Sequence, residues 1–285
     1  MIPRVADGLS GLRRGALRAA AIGLALAGTA AAQVSNTDIE EAPLPAAQEV
    51  LARLRAGFPE RPWLVRGQLI CRDAEGTVLR TLNTDLRLDW KASPPNAAIA
   101  IADAFGGFVG QLDITRPEGR PPALVLRQGD PPKAVPDFDP GAAAGGSDFA
   151  WADLALDFLW WPGGTVTGTE MKKSRECHVV DLPAPAGNRY TRVRLWIDTR
   201  ESALLQADAV GADGTLARRL AVKSLRKFGD RWTVEDLDIE RHPEGTRTTL
   251  RVLESRIEGA PQPPAPEIPP VAPVAPPTPP AEAAP

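Results

Sequence analysis

Hydrophobic and polar residues alternate along much of this chain, and the alternation predicts most of its elements. The clearest stretch is Thr77–Trp90. Its apolar positions lie two or four residues apart and share one face: Val78, Leu82, Leu86, Leu88 and Trp90. Polar and charged residues occupy the opposite face. A strict period of two over this length predicts a half-buried β-strand.

Four or five more strands are predicted in direct succession between Tyr190 and Glu258. They are read from the segments YTRVRLWID, LLQADAV, TLARRLAVKSLRKF, RWTVEDLDIERH and TRTTLRVLESRIE. Short polar breaks separate them and no helical pattern intervenes, so neighbouring strands can only pair antiparallel. An antiparallel meander with one apolar face favours a protein that holds a ligand over one that cleaves a substrate.

The remaining sequence adds shorter strands and two helices. A helical stripe of apolar residues predicts a helix over Pro45–Phe58, and Ser147 is placed to cap a second helix over Phe149–Leu159. Further strands are predicted at Trp63–Asp73, Ala97–Asp103, Val109–Thr115, Ala123–Arg127, Thr165–Met171 and Glu176–Leu182. The pattern indicates a mainly β (α+β) fold with a large antiparallel sheet of about eleven strands, curved enough for the helices to cover one side.

Composition divides the chain into three segments. Residues 1–32 combine four arginines, a short apolar run and small residues at Ala30–Ala32, which predicts a secretory signal peptide cleaved before Gln33. An uncleaved anchor is the alternative, although the run is shorter than the roughly 20 residues of a membrane span. Residues 33–258 are expected to form one domain, folded from about residue 43. Residues 259–285 predict a disordered Pro-rich tail, since twelve of the last 25 residues are proline.

Net charge bears on the partners. The predicted signal peptide carries four Arg and one Asp, so its removal changes the formal net charge from −3 to −6. A nucleic-acid partner is disfavoured, because non-specific binding to phosphates needs a basic surface. The exported protein is expected to be soluble in the periplasm and not membrane-spanning after signal cleavage.

The sequence shows no set of catalytic or metal-binding residues. His178 and His242 each stand alone, and Cys177 precedes His178 directly, so in a strand the two side chains point to opposite faces. Motifs for a nucleophile elbow, a phosphate-binding loop or a zinc protease are absent. No catalytic residue, metal or cofactor is therefore predicted. Cys71 and Cys177 are a candidate disulfide, and two separate buried thiols fit the sequence equally well.

Charged and aromatic side chains leave both structural and functional interpretations open. Asp236, Asp238 and Glu240 share one strand face, which is typical of a solvated surface. Trp160 and Trp161 end the second predicted helix just before Pro162, where they could pack in the core or belong to a lid. Trp196 points away from the aliphatic residues of its strand.

Three runs carry a resemblance to a known family: GSDFAWADLALDFLWWPGG, TEMKKSRECHVVDLPAP and YTRVRLWIDTRESALLQADAVGADGTLARRLAVKSLRKFGDRWTVEDLDIER. Across about residues 63–258 they resemble the outer-membrane lipoprotein-sorting proteins of the LolA-like superfamily. The resemblance implies a half-closed barrel whose helices act as a lid, and a periplasmic carrier that holds acyl chains in a concave apolar cavity. The motifs are strand registers and turns, so they specify the fold better than the function.

The combined hypothesis is a non-enzymatic periplasmic carrier for lipoprotein acyl chains or other lipids, with the inner wall of the sheet left free for the ligand. The candidate lipid-binding residues are Leu86, Leu88, Trp90, Trp160, Trp161 and Trp196. Two alternatives remain. The domain could be the sensor of an envelope-stress (anti-sigma) regulator with the same fold, or the chain could act through an envelope protein partner of its Pro-rich tail.

Overall fold

The computed structural model describes residues 43–228 and 231–260. The predicted signal peptide lies outside the described residues, and so does the predicted tail from residue 261 onward. The helices are α1 (Ala47–Ala56) and α2 (Trp151–Leu154), with 3₁₀ turns at Ala144–Gly146 and Asp157–Trp160. The strands are β1 (Trp63–Arg72), β2 (Val78–Asp89), β3 (Asn96–Ala102), β4 (Phe108–Thr115), β5 (Ala123–Gln128), β6 (Lys133–Ala134), β7 (Thr165–Lys172), β8 (Arg175–Pro183), β9 (Arg192–Asp198), β10 (Leu204–Val210), β11 (Leu216–Phe228), β12 (Arg231–Arg241) and β13 (Arg247–Ile257).

These strands form a single antiparallel sheet in the order β6-β5-β4-β3-β2-β1-β13-β12-β11-β10-β9-β8-β7. The end strands β6 and β7 do not pair with each other, so the sheet is a curved half-barrel rather than a closed one. The predicted fold class is confirmed, with thirteen strands in the described residues instead of about eleven. Chain neighbours pair as hairpins nearly throughout. The exception is β1 with β13, where Trp63 lies opposite Ile257 and the first and last strands of the domain join.

Alternation along the strands gives the sheet an apolar inner face. Typical inner residues are below 2% exposed: Leu69 on β1, Ile99 on β3, Leu112 on β4, Leu182 on β8 and Leu195 on β9. Complete burial of one such side chain stabilises the fold by about 1.5–3 kcal/mol. The predicted empty inner wall is wrong over most of this face, because α1 and residues 144–161 pack into the concavity and share one core with the strands.

Helix α1 lies in the concavity with its apolar stripe against the sheet. Val50 and Leu51 are buried, as the helical spacing predicts. The Gln48 amide donates to the carbonyl oxygens of Trp161, at 3.0 Å, and Gly163, at 2.7 Å. The Arg55 guanidinium donates to the carbonyl of Leu159. These contacts fasten α1 to the end of the segment that fills the half-barrel.

The second predicted helix is broken. Only Trp151–Leu154 is α-helical, and Leu156 adopts a left-handed conformation with φ 49° before a 3₁₀ turn begins. Ser147 does not cap the helix, because its hydroxyl donates to the carbonyl of Ala144 at 2.7 Å. The Asp153 carboxylate instead accepts from the backbone N–H of Ala150, at 2.8 Å. The break lets a short segment follow the curved inner wall, which one straight helix could not do.

The outer face carries cross-strand ion pairs. Arg194 and Arg219 each hold a carboxylate through two parallel hydrogen bonds, to Asp181 and Asp208 respectively. The sequence predicts that Asp236, Asp238 and Glu240 form a solvated stripe, but the structure exposes this stripe only in part. Asp238 is 8% exposed and accepts from the Thr249 hydroxyl of the neighbouring strand at 2.7 Å. Burial there is possible because the facing strand supplies the hydrogen bond.

Candidate functional site

A cleft of about 1270 Å³ lies at one mouth of the half-barrel. We call it the mouth cleft. Four segments and Asp157 line it; the segments are residues 93–95, 116–122, 160–162 and 185–188. Seven of the lining residues are proline, and their fixed φ angles make the walls stiff. Its volume exceeds the roughly 300–1,000 Å³ of most small-molecule sites, so an extended apolar chain has room.

An aromatic cluster stands beside the mouth cleft. The ring centroids of Trp90 and Trp160 are 4.8 Å apart, and Phe58 lies 6.5 Å from Trp90 and 6.1 Å from Trp160. Trp160 is half-buried and lines the cleft, whereas Trp90 is 7% exposed. Phe58 follows α1, Trp90 follows β2 and Trp160 lies near the end of residues 144–161, which we call the inner segment, so three distant parts of the chain meet here. The cluster supplies an apolar wall with one accessible ring.

Arg116 lies against this cluster at the wall of the mouth cleft. Its Nη1 donates to Asp157 Oδ1 at 2.8 Å, and its Cζ lies 4.1 Å from the Trp160 ring centroid and 5.7 Å from that of Trp90. The residue is only 7% exposed. Burial lowers the pKa of the guanidinium, and the nearby Asp157 carboxylate offsets this only in part. Its Nε and Nη2 are buried and have no hydrogen-bond partner in the described structure.

Asp157 links the arginine to the second tryptophan of the pair. Its Oδ2 accepts from Trp161 Nε1 at 3.0 Å, while its Oδ1 accepts from Arg116. Trp161 is 6% exposed and packs in the core. One carboxylate therefore orients both the cation and the indole at the cleft wall.

Deeper in the half-barrel the inner segment is fastened by two more acids. Asp148 accepts from the hydroxyls of Thr246, at 2.6 Å, and Thr248, at 2.7 Å. Asp153 pairs with Arg218 of β11, and both side chains are nearly buried. A cavity of about 160 Å³ remains beside Asp153, which is small for a lipid. Of these two cavities, the mouth cleft is the one with room for a lipid.

The structure separates the six predicted lipid-binding residues. Trp160 and Trp161 line the mouth cleft, and Trp90 packs on Trp160. Leu86 is a core residue and Leu88 is partly buried against the core. Trp196 cannot share this cavity, because it lies on the outer face with Cys177, Val179 and Leu205. Its Nε1 donates to Glu170 Oε2 at 2.8 Å and Lys172 lies over its ring.

The predicted candidate disulfide is not formed. Cys71 and Cys177 are both free and buried. Cys71 continues the inner-face alternation of β1, whereas Cys177 belongs to the outer cluster on β8. Five strands separate β1 from β8 in the sheet order, so the two sulfurs are far beyond bonding distance. Burial raises the pKa of each thiol, which makes both poor nucleophiles.

No group of three or more His, Cys, Asp or Glu side chains among residues 43–228 and 231–260 is arranged to hold a metal ion. His178 and His242 lie on different parts of the sheet, on β8 and after β12. Within the same residues, no helix is long and apolar enough to cross a membrane.

Sequence reasoning missed Arg116 as a site residue. In the sequence it is one arginine between a strand and Pro117, 44 positions before Trp160. Nothing local marks it, because its burial depends on aromatic rings supplied by other elements. The dense prolines between Pro117 and Pro122 are the only local sign that a rigid wall begins there.

Comparisons with known proteins agree with the architecture. A family model described only as an uncharacterized protein matches residues 132–260. No curated protein matches the chain. Among solved structures, a DUF1329 family protein from Desulfovibrio piger shares 17% identity and a TM-score of 0.63, covering 75% of this chain and 92% of its own.

Two more solved structures share the fold. An outer membrane lipoprotein-sorting protein domain from Vibrio parahaemolyticus has 14% identity and a TM-score of 0.64, over 75% of this chain and 93% of its own. A LolA superfamily protein from Nitrosomonas europaea has 14% identity and a TM-score of 0.54, over 76% and 96%. Identities this low show the fold alone.

Proposed function

We propose that this chain, which has the LolA-like fold, is an exported carrier that binds the acyl chains of lipids or lipoproteins in its mouth cleft. The observation that carries the proposal is the mouth cleft itself, about 1270 Å³ in volume and walled by prolines and the Trp160 ring. Each buried CH₂ of an acyl chain contributes about 0.8 kcal/mol, so a sheltered apolar cleft is what a carrier in water needs.

The site of binding follows from how the half-barrel is filled. Residues 144–161 occupy the concavity and are held there by buried polar contacts, including the pair of Asp153 with Arg218. Breaking a buried ion pair costs about 3–5 kcal/mol, so emptying the whole concavity for a ligand is unfavourable. The mouth cleft needs no such rearrangement. Export through the predicted signal peptide would place this carrier in the periplasm, where lipids must cross water between membranes.

The proposal is tested by ligand uptake. The exported full-length chain, purified from an envelope fraction, is expected to carry lipid detectable by mass spectrometry, and after delipidation to bind a fluorescent long-chain alcohol or fatty acid. Ala186 is exposed at the cleft, so Ala186→Trp should fill part of it and weaken binding about tenfold or more.

A matched control places the same substitution in the turn between β3 and β4, at the opposite end of these strands from the mouth cleft. Ala104 is equally exposed, but it lies between β3 and β4 at the end away from residues 93–95 and 116–122. Ala104→Trp is expected to bind as the unaltered chain does. A delipidated protein that takes up neither probe would refute the carrier function and favour a sensor or tail-interaction role.

A further inference from the structure

Arg116, at the wall of the mouth cleft, has one edge of its guanidinium without a hydrogen-bond partner in the described residues. A guanidinium carries five N–H donors and binds a carboxylate or phosphate best through two parallel hydrogen bonds. Within the described residues, the Arg116 guanidinium makes a single hydrogen bond to protein, from Nη1 to Asp157. Its Nε and Nη2 are both buried without a partner in the part of the chain that the structure describes. Orphaned donors of a buried cation are unusual and need an explanation.

The same chain shows what this edge binds elsewhere. Arg194 holds Asp181 through Nε at 2.7 Å and Nη2 at 2.8 Å. Arg219 holds Asp208 through Nε at 2.9 Å and Nη2 at 2.7 Å. In each pair the two oxygens of one carboxylate occupy the Nε–Nη2 edge. In Arg116, this edge is the one that remains unpaired.

Electrostatics indicate that one carboxylate does not balance the charge of Arg116. Burial lowers the pKa of Arg116 despite Asp157. Arg218 is buried to a similar degree, and burial lowers its pKa too, but Asp153 together with Tyr190 and Asp148 more than offsets this effect, so the pKa of Arg218 is raised. A second anion near Arg116 would restore the balance. Glu118 also lines the cleft, but it is exposed and forms no ion pair with Arg116 in the described structure. The surrounding prolines and indole rings supply apolar surface.

We propose that the mouth cleft binds a long-chain amphiphile with an anionic head, a carboxylate or a phosphate, which accepts hydrogen bonds from Nε and Nη2 of Arg116. The inference rests on the carrier function and specifies its ligand. The apolar chain lies along the proline walls and the accessible face of Trp160. Both nitrogens are shielded from solvent, so the head displaces a neighbouring side chain. Trp160 is the neighbour that both stacks on Arg116 and lines the cleft.

Three ligands with the same 16-carbon chain separate the head from the chain: palmitate, hexadecyl phosphate and hexadecanol. The delipidated full-length chain is titrated with each, below the concentration at which it aggregates, by fluorescence displacement. Both anions should bind about ten- to a hundredfold tighter than the alcohol, as charged hydrogen bonds require. They should also change the tryptophan emission, because Trp160 moves.

Variants of two cleft arginines, Arg116 and Arg120, show which of them is responsible for the tighter binding of the anions. Arg116→Met should bind the three ligands within about threefold of one another, and Arg116→Lys should keep part of the preference because it keeps the charge without the fork. Asp157→Asn keeps an oxygen that can accept from Nη1 and removes the competing negative charge, so the preference for the anions should increase, which provides a test if Arg116→Met does not fold. If the general field of the cleft selects the anion, Arg120→Met lowers the preference as much as Arg116→Met does, and that result overturns the assignment.

The remaining outcomes distinguish this inference from the carrier function. Equal affinity of the unaltered chain for hexadecanol and palmitate would overturn the role of Arg116 and leave the carrier intact. Binding of none of the three ligands would overturn both.

Discussion

Arginine–carboxylate pairs recur across this protein, and their surroundings decide what each one does. On the outer face, the two hydrogen bonds from Arg194 hold the pKa of Asp181 below its ordinary value, against the opposing effect of partial burial. Inside the half-barrel, Asp153 and Arg218 are nearly buried and fasten the inner segment to β11. At the cleft, Arg116 pairs with one acid among the described residues, and its Nε and Nη2 have no partner there. Arginine–carboxylate pairs therefore stabilise the sheet, whereas at the mouth cleft the arginine keeps the Nε–Nη2 edge that we propose binds a ligand.

At the residue scale, Asp181→Asn should make stability depend less on pH. The folded pKa of Asp181 lies below its unfolded value of about 3.9, so its contribution is present above that pH and is lost as pH falls through the folded pKa. We expect the variant to lose about 1 kcal/mol of unfolding free energy at pH 7, with the difference shrinking below about pH 4. Urea unfolding at several pH values measures this.

The control for Asp181→Asn is Glu60, an exposed acid that forms a long ion pair. Glu60 is 84% exposed and lies 3.7 Å from Lys91, so Glu60→Gln should change little at any pH. A loss in Asp181→Asn that persists undiminished at pH 2 would contradict the ion-pair explanation.

At the scale of the elements, the position of the inner segment depends on the turn through which the chain leaves the concavity. After Trp161 the chain turns through Gly163, with φ 75°, and Gly164, with φ 88°, to begin the edge strand β7. A Cβ on Gly164 would lie 2.5 Å from Leu182 Cδ2 and 2.9 Å from the carbonyl oxygen of Asp181, whereas a Cβ on Gly163 would meet nothing within 4 Å. The two neighbouring glycines thus share a backbone requirement but differ in packing.

These two glycines give a matched pair of variants. Gly163→Ala should lose about 1 kcal/mol, because alanine disfavours a positive φ. Gly164→Ala should lose about 2–4 kcal/mol, since the overpacking against β8 adds to the same backbone penalty. Chemical unfolding of the two variants side by side measures the difference. Equal losses would show that Gly164 is not pressed against β8.

At the scale of the whole molecule, the pairing of β1 with β13 joins the two halves of the sheet. The register runs to Trp63 opposite Ile257, and the backbone N–H of Glu258 donates to the carbonyl of Pro62 at 2.8 Å. The first and last long strands of the domain are therefore joined before the Pro-rich segment starts. From its composition, that segment is predicted to add no core of its own.

Removal of residues 261–285 should leave the folded domain unchanged. We expect the melting temperature to shift by less than about 2 °C and ligand uptake to stay the same, because the mouth cleft is lined by residues 93–188 alone. Calorimetry and the fluorescent-lipid titration measure both quantities. A loss of uptake in the shortened chain would show that the tail takes part in binding.

Local sequence was sufficient for the strands and their turns. The sequence predicted about eleven strands, and the segments named for them overlap the long strands of the described residues, whereas the two-residue β6 was missed. This was possible because a strand's two faces are visible within the strand itself. The same parity indicated that Trp196 faces away from the aliphatic residues, although only the folded sheet showed that this face is the outer one. Helix α1 was predictable for a similar reason, since its buried stripe recurs every turn.

Tertiary structure alone decided how the concavity is used. The break at Leu156 follows from fitting the segment to a curved wall, which helix propensity does not encode. Burial of Arg116 depends on rings from positions 90 and 160, and separation of Cys71 from Cys177 depends on the order and faces of the strands. Contacts between distant residues arise only when the sheet closes around them, so no local pattern carries them. The sequence determined a sheet with one apolar face; folding determined that its own chain fills the interior and that room for a ligand lies at the mouth.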